Sequence, residues 1–193
     1  MSLRFATPPP PPVQLAGGGC LSFERTLVLG VVNVTPDSFS DGGQWLDAEA
    51  AVAHGVALAE AGADALDIGG ESTRPGSAPV SPEEQCARVL PVIEGLRERL
   101  SLPLSVDTTS ALVAERALEA GASMVNDISA FRFDDRMLDL LARSGAPAIA
   151  MHTLDTPERM QLNPEYSDVS RQVCAHLKER LVACERAGVD TSQ

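Results

Sequence analysis

Basic and aromatic residues are both scarce in this sequence. Its 193 residues include 15 Lys and Arg against 27 Asp and Glu, a formal net charge of −12 at pH 7. Because nucleic-acid binding needs a basic surface, this balance argues against nucleic acid as a partner. It still allows a small phosphorylated ligand held by backbone N–H groups and one or two cations. Aromatic residues make up only 4% of the chain, and the plentiful Ala, Val and Leu suit helices packed on a sheet.

Signatures of several other protein classes are also missing. The four cysteines show no CxxC spacing, the three histidines lie far apart, and no HExxH pattern occurs, so a zinc site is not expected. Without GxGxxG or GxxxxGK[ST], neither a dinucleotide-binding fold nor a P-loop is supported. No signal peptide or run of about 18 apolar residues is visible. We therefore expect a cytoplasmic protein with reduced thiols and no membrane partner.

Residues 1–25 differ in composition from the rest and are interpreted as an N-terminal arm. Five consecutive prolines, residues 8–12, predict an extended polyproline II segment. Three glycines follow at 17–19, and a short hairpin is predicted around Cys20–Thr26. Such runs are typical of spacers, so the domain itself is predicted to span residues 26–193.

From residue 26 onward the chain repeats one unit, a buried strand followed by a helix. The strands are apolar without alternation, as in parallel sheets covered on both faces. Ser81, Pro82 and Glu84 form a capping-box pattern with proline at the first helical position. Strands are predicted at Leu27–Val34, Ala63–Ile68, Pro103–Val106, Ser123–Ile128 and Ala148–Met151, and helices at 47–61, after Ser81, at 111–120, 134–144 and 167–187.

Four similar segments mark the predicted helix ends. Residues 60–63, 119–122, 143–146 and 186–189 read EAGA, EAGA, RSGA and RAGV, each with glycine just after a helix. The first three lead into a strand, and the fourth is followed only by residues 190–193. The pattern predicts an α/β fold of the (β/α)8 TIM-barrel type that is incomplete, with about five β/α units and truncation before strand 6. A five-stranded open, doubly wound sheet is the competing fold.

Polar residues gather at the carboxyl ends of the predicted strands, which face one common mouth in an α/β fold. Asp67 precedes two glycines and is interpreted as a residue that shapes a turn. Asp107 is the strongest candidate for binding, because a carboxylate can accept two parallel hydrogen bonds from a guanidine-like ring edge. The residues in this set are Asn33, Asp67, Asp107, Asn126, Asp127 and His152.

Two of the loops add further candidates. Arg74, on the loop after the second strand, suits an anionic group such as a carboxylate or phosphate. A hard cation such as magnesium could use Asn33 together with phosphate oxygens.

Two long motifs resemble the signature loops of the dihydropteroate synthase family. They are NVTPDSFSDGG at residues 33–43 and DIGGESTRPG at 67–76. Shorter matches follow at residues 105–108, 126–127, 151–152 and 160–161, so the resemblance covers about residues 26–190.

The resemblance implies a (β/α)8 enzyme of folate biosynthesis. Such an enzyme joins 4-aminobenzoate to 6-hydroxymethyl-7,8-dihydropterin diphosphate, releases diphosphate and uses Mg²⁺. It implies that Asp107, Asn126 and Thr73 bind the pterin substrate, that Asn33 lies at the metal, and that no side chain acts as a nucleophile. Phe39, Arg74 and Pro75 would border the aminobenzoate site.

The sequence departs from the family pattern at its end. The family continues with an Asp-Pro-Gly strand end, a Ser-Arg-Lys motif and an Arg-x-His anion site, none of which occurs here. The resemblance therefore implies weak diphosphate binding and little or no activity for this chain, and a homodimer is considered. Two alternatives stay open: a non-catalytic pterin-binding fragment and a pterin-dependent methyltransferase domain.

Overall fold

A short antiparallel hairpin precedes the main sheet. The computed structural model describes residues 8–35, 44–72, 76–162 and 164–192. Strands β1 (Val13–Gln14) and β2 (Cys20–Leu21) pair around a turn in which Gly17, Gly18 and Gly19 all have positive φ. The hairpin predicted at 20–26 is therefore wrong in position, because three adjacent glycines make a tight turn rather than a flexible spacer. The backbone N–H of Ala16 donates to the carbonyl of Ser123, 3.1 Å away, and ties this hairpin to the sheet.

Five parallel strands form the main sheet, and each pairs with the next one along the chain. A doubly wound sheet reverses its strand order at a switch point, so the sequential order excludes that alternative and is the order of a barrel. The α/β prediction with five barrel-type units is confirmed. The strands are β3 (Leu29–Asn33), β4 (Ala65–Gly69), β5 (Leu104–Asp107), β6 (Met124–Asp127) and β7 (Ala148–Ala150).

Helices follow the strands, with bounds within three residues of the predictions. None of the described helices is long and apolar enough to cross a membrane. The predicted helix stops are confirmed, because Gly62, Gly121, Gly145 and Gly188 all have positive φ and end a helix or its final turn. The helices are α1 (Gln44–Glu60), α2 (Pro82–Arg99), α3 (Ala111–Glu119), α4 (Met137–Ser144) and α5 (Val169–Ala187).

The hydrophobic core lies between the sheet and its helices. Alternate strand residues such as Val32, Ile68 and Val106 point to the helix layer and are fully buried. Burial of each such side chain contributes about 1.5–3 kcal/mol. The residues between them point to the opposite face, which is the lumen face of a barrel. There Val31 is 51% exposed and Ile149 41% exposed, at the two outer strands of the sheet.

The capping prediction for α2 allows a matched stability test. The hydroxyl of Ser81 accepts a hydrogen bond from the Glu84 backbone N–H at 3.2 Å, whereas Ser110, which precedes α3, makes no such bond. We expect Ser81→Ala to lower the free energy of unfolding by about 1 kcal/mol. Ser110→Ala removes a buried hydroxyl without a described partner, so it should be neutral or stabilising in the same urea titration. Equal losses in both variants would contradict this account.

Candidate functional site

Strand register brings three of the predicted site residues into one row on the lumen face. Asn33 pairs with Gly69, Gly69 with Asp107, and Asp107 with Asn126. The row continues to Ile149 on β7. Since these positions lie at the carboxyl ends of parallel strands, the prediction that Asn33, Asp107 and Asn126 share a mouth is confirmed. Their roles toward a ligand stay predictions.

Gly69 leaves a gap between two of these side chains. A Cβ placed on Gly69 would lie 3.5 Å from Asp107 Oδ2 and 3.7 Å from Asn33 Oδ1. Both oxygens therefore lean over the bare backbone of Gly69, and any side chain longer than a methyl group would fill the space between them. The gap places a carboxylate oxygen and an amide oxygen around one concave point at the mouth.

The Asp107 carboxyl is the one acid of this row, and its pKa is strongly raised. Burial, followed by repulsion from Asp67, Asp127 and Glu71, raises its pKa to about 7. Its carboxylate receives no hydrogen bond from any residue in the described part of the chain. A half-buried carboxyl with so few hydrogen bonds from the protein is suited to accept hydrogen bonds from a ligand.

Asp67 does not shape a turn, so that interpretation was wrong. It lies inside β4 with 6% of its surface exposed, and its Oδ2 accepts a hydrogen bond from Asn126 Nδ2 at 2.9 Å. Burial raises its pKa, and the hydrogen bonds from Ser105 and Asn126 oppose that rise. The Ser105 hydroxyl lies close enough to lower the Asp67 pKa, but its geometry is poor. Asp67 Oδ1 and Ser105 Oγ therefore have no well-oriented hydrogen-bond partner among the described residues.

Asp127 faces away from the mouth and stabilises a loop, contrary to its predicted place among the mouth residues. It follows Asn126 in β6, so its side chain points to the opposite face. Its carboxylate accepts hydrogen bonds from the backbone N–H groups of Ser129, at 2.7 Å, and Phe131, at 3.2 Å. These bonds hold Ala130 and Phe131 at φ of 52° and 66°, a left-handed conformation that costs free energy for residues other than glycine.

His152 packs against other rings rather than joining the row. Its ring centroid lies 4.8 Å from that of His176, edge-on, and 5.9 Å from that of Tyr166. Burial, then the positive charge of Arg132, lowers the pKa of His176. The two histidines and Tyr166 form an aromatic cluster after β7, which connects this strand end to α5.

A hydrogen-bonded relay missed by sequence reasoning anchors the loop after β4. Glu71 Oε1 accepts from the Val80 backbone N–H at 2.7 Å, and its Oε2 accepts from Gln85 Nε2 at 3.1 Å. Gln85 Oε1 in turn accepts from the Thr108 hydroxyl at 2.9 Å. The relay ties both ends of this loop to the residue that follows Asp107. A glutamine within the apolar stripe of α2 was the available signal, since Gln85 is 4% exposed.

The remaining predicted site residues lie outside the described ranges. These are Phe39, Thr73, Arg74 and Pro75. The residues on either side of positions 73–75, in the loop after β4, are described. The hydroxyl of Ser77 donates to that of Ser72 at 2.9 Å, and the Gly76 N–H donates to the Pro157 carbonyl at 2.9 Å. Within the described ranges, no three His, Cys, Asp or Glu side chains are grouped so as to hold a metal ion.

Comparison with known proteins identifies relatives over most of the chain. A family model described as pterin binding enzyme matches residues 29–193. A dihydropteroate synthase of Clostridium beijerinckii is 43% identical over 166 residues, which cover 86% of this chain and 59% of that protein. The Escherichia coli dihydropteroate synthase is 41% identical and is matched over 61% of its length. The chain thus spans about three fifths of the length of these curated relatives.

Solved structures agree with this comparison. The dihydropteroate synthase of Xanthomonas albilineans with 4-aminobenzoic acid has a TM-score of 0.86 and 48% identity, covering 95% of this chain and 64% of that one. That of Burkholderia cenocepacia, complexed with 7,8-dihydropteroate, has a TM-score of 0.82 and 40% identity, covering 96% and 62%.

Proposed function

Because this chain belongs to the pterin binding enzyme family, we propose that it carries the pterin-binding part of a dihydropteroate synthase. The proposed reaction joins 4-aminobenzoate to 6-hydroxymethyl-7,8-dihydropterin diphosphate. The single observation that carries the proposal is the row of Asp107 and Asn126 on the lumen face, in which the half-buried Asp107 carboxylate receives no hydrogen bond from the described residues. The N–H and NH2 groups of an aminopyrimidinone edge are a matched pair of donors for that carboxylate.

The chemical step calls for positive charge to be stabilised. The bond between the pterin methylene carbon and the diphosphate oxygen breaks, and its electrons leave with diphosphate. The amine nitrogen of 4-aminobenzoate then forms the new carbon–nitrogen bond and loses one proton. The carboxylates of Asp67 and Glu71 lie close enough to Asp107 to repel its charge, and these three groups would stabilise a cationic pterin.

A magnesium ion fits this site as a partner of the diphosphate. Magnesium binds through few protein oxygens together with substrate phosphates, and it would neutralise charge on the leaving group. Asn33 Oδ1, which leans over Gly69 at the mouth, is the described oxygen that would hold it. We propose that Thr73 contacts the pterin substrate. Arg74, Phe39 and Pro75 would border the aminobenzoate.

We also propose a cytoplasmic protein and consider a homodimer. All four cysteines are free in the structure, which suits a reducing compartment. Sedimentation of the purified chain, with and without a pterin, would measure its oligomeric state.

Two measurements on the same sample test the proposed function. Calorimetric titration with 6-hydroxymethylpterin should show binding at one site per chain. Labelled 4-aminobenzoate with the pterin diphosphate and Mg²⁺ reports product formation, and a full-length relative provides the reference rate. Binding without turnover would favour the non-catalytic alternative, and absence of pterin binding would overturn the proposal.

The raised pKa of Asp107 predicts that pterin binding depends on pH. The free carboxyl holds a proton below its pKa of about 7, whereas the carboxylate that accepts two hydrogen bonds does not. Affinity should therefore rise about tenfold per unit between about pH 5 and about pH 7 and then level off. The carboxamide of Asp107→Asn does not titrate, so the affinity of this variant should be lower and should not change with pH over the same range. A flat profile for the unmodified chain would contradict the prediction.

A further inference from the structure

Asp67 lies one layer deeper in the lumen than the row that forms the mouth. It pairs with Ser105 on β5, whereas Asp107, two residues further along that strand, pairs with Asn126. Its carboxylate nevertheless reaches across β5 to the Asn126 carboxamide, 59 residues away in sequence, at 2.9 Å. The contact therefore joins β4 to β6 beneath Asp107.

This contact determines which end of the Asn126 carboxamide is available to a ligand. An ionised carboxylate can only accept hydrogen bonds, so the carboxamide must turn its NH2 group toward Asp67. The opposite orientation would bring two acceptor oxygens together. Asn126 Oδ1 receives no hydrogen bond within the described part of the chain, so it stays free to accept one.

The stability of the fold does not explain why an aspartate occupies position 67. It is 94% buried, since its exposed fraction is 6%, and one of its two oxygens has no partner of good hydrogen-bond geometry among the described residues. Burying a carboxylate with incomplete hydrogen bonding is unfavourable, and an apolar residue would serve a strand interior better. Val31, its neighbour on β3 in the same layer, shows that an apolar residue can occupy this layer.

We infer that Asp67 is a positioning residue, an inference that rests on the proposed pterin site: it turns Asn126 so that the mouth offers two acceptors, the Asp107 carboxylate and Asn126 Oδ1. A site with two acceptors selects ring edges that carry N–H donors. It discriminates against edges in which a carbonyl oxygen replaces an amino group, because two acceptors then face each other.

Ligand selectivity provides the test. The probes are pterin and its 2,4-dioxo analogue, in which oxygen replaces the 2-amino group, and affinity is measured calorimetrically on the full chain. Asp67→Ala frees Asn126 to turn and should lower the preference for pterin by about tenfold. Asp67→Asn keeps an acceptor for the Asn126 NH2 group and should retain the preference within about threefold. Asp135→Asn, an exposed acid after β6, is the matched control and should change neither affinity.

A double-mutant comparison separates positioning from general stability. If Asp67 acts through Asn126, Asp67→Ala should have no further effect on selectivity when Asn126 is already alanine. An equal effect in both backgrounds, or equal losses for both probes, would overturn the inference. Asp67→Leu, which fills the space without an acceptor, takes the place of Asp67→Ala if the latter does not fold.

A second measurement needs no ligand, so it can contradict the positioning role without contradicting the proposed function, and the reverse. The Asn126 side-chain NH2 signals in an NMR spectrum should show slowed hydrogen exchange in the unmodified chain and in Asp67→Asn, and lose it in Asp67→Ala. Unchanged signals in Asp67→Ala would overturn the positioning role. No pterin binding together with the expected NMR change would overturn the function alone and leave the positioning role supported.

Discussion

Replacement of Asp107 with alanine is expected to weaken pterin binding by more than about 100-fold, the largest effect of any single substitution at this site. The carboxylate is half-buried and offers two oxygens to a pair of donors, and hydrogen bonds to charged groups are stronger than neutral ones. Alanine would leave the ligand's N–H groups without the two oxygens that accept their hydrogen bonds. Asp107 supplies none of the described hydrogen bonds that support a loop, so the fold should survive.

Titration calorimetry on the unmodified and Asp107→Ala chains measures this effect. Circular dichroism and thermal melting would show whether both proteins are folded. Asp135→Ala removes an exposed carboxylate from the loop after β6 and is the matched control, with expected affinity within about twofold of the unmodified chain. Pterin binding by Asp107→Ala at nearly full affinity would show that the pterin lies elsewhere.

Replacement of Asp127 with alanine should instead act on stability, lowering the free energy of unfolding by about 3 kcal/mol. Its carboxylate accepts from two backbone N–H groups, those of Ser129 and Phe131, at a residue with no exposed surface. Without it both donors are left unpaired, and Ala130 and Phe131 lose the contacts that hold their left-handed conformation. Arg180 Nε also donates to the Ala130 carbonyl at 2.8 Å, so the attachment of α5 should loosen as well.

Urea unfolding, followed by circular dichroism, tests this second expectation. Asp127→Asn keeps one acceptor oxygen and should lose less stability than Asp127→Ala, which gives an ordered series of three proteins. A loss below about 1 kcal/mol for Asp127→Ala would contradict the loop-stabilising role. Because Asp107→Ala should change binding and Asp127→Ala should change stability, the pair separates the two acids that the sequence alone groups together.

The periodic part of the fold could be predicted from the sequence with good accuracy. Continuous apolar runs and glycine stops are local signals, and parallel strands connected by helices follow from them. The hairpin at Val13–Leu21 was misplaced because a glycine triplet is equally compatible with a turn and with a linker. The choice between barrel and doubly wound order needed the strand pairing itself, since both orders have the same local pattern.

The candidate site was predicted in part. Asn33, Asp107 and Asn126 do meet in one row, because strand-end position is visible from the chain order. The roles of Asp67 and Asp127 were misjudged for one reason. Which face of a strand a side chain occupies, and which residue lies two strands away, depend on register, and register is not a local property.

The sequence by itself determined the repeat of strands and helices, the acidic character of the mouth and the motifs shared with the dihydropteroate synthase family. Only the tertiary structure decided which role each aspartate has. Asp67 accepts a hydrogen bond from Asn126 across an intervening strand, Asp107 receives none from the described residues, and Asp127 is turned to the loop. The physical reason is that a carboxylate's chemistry depends on its neighbours and its burial, and both arise only when distant strands pack together.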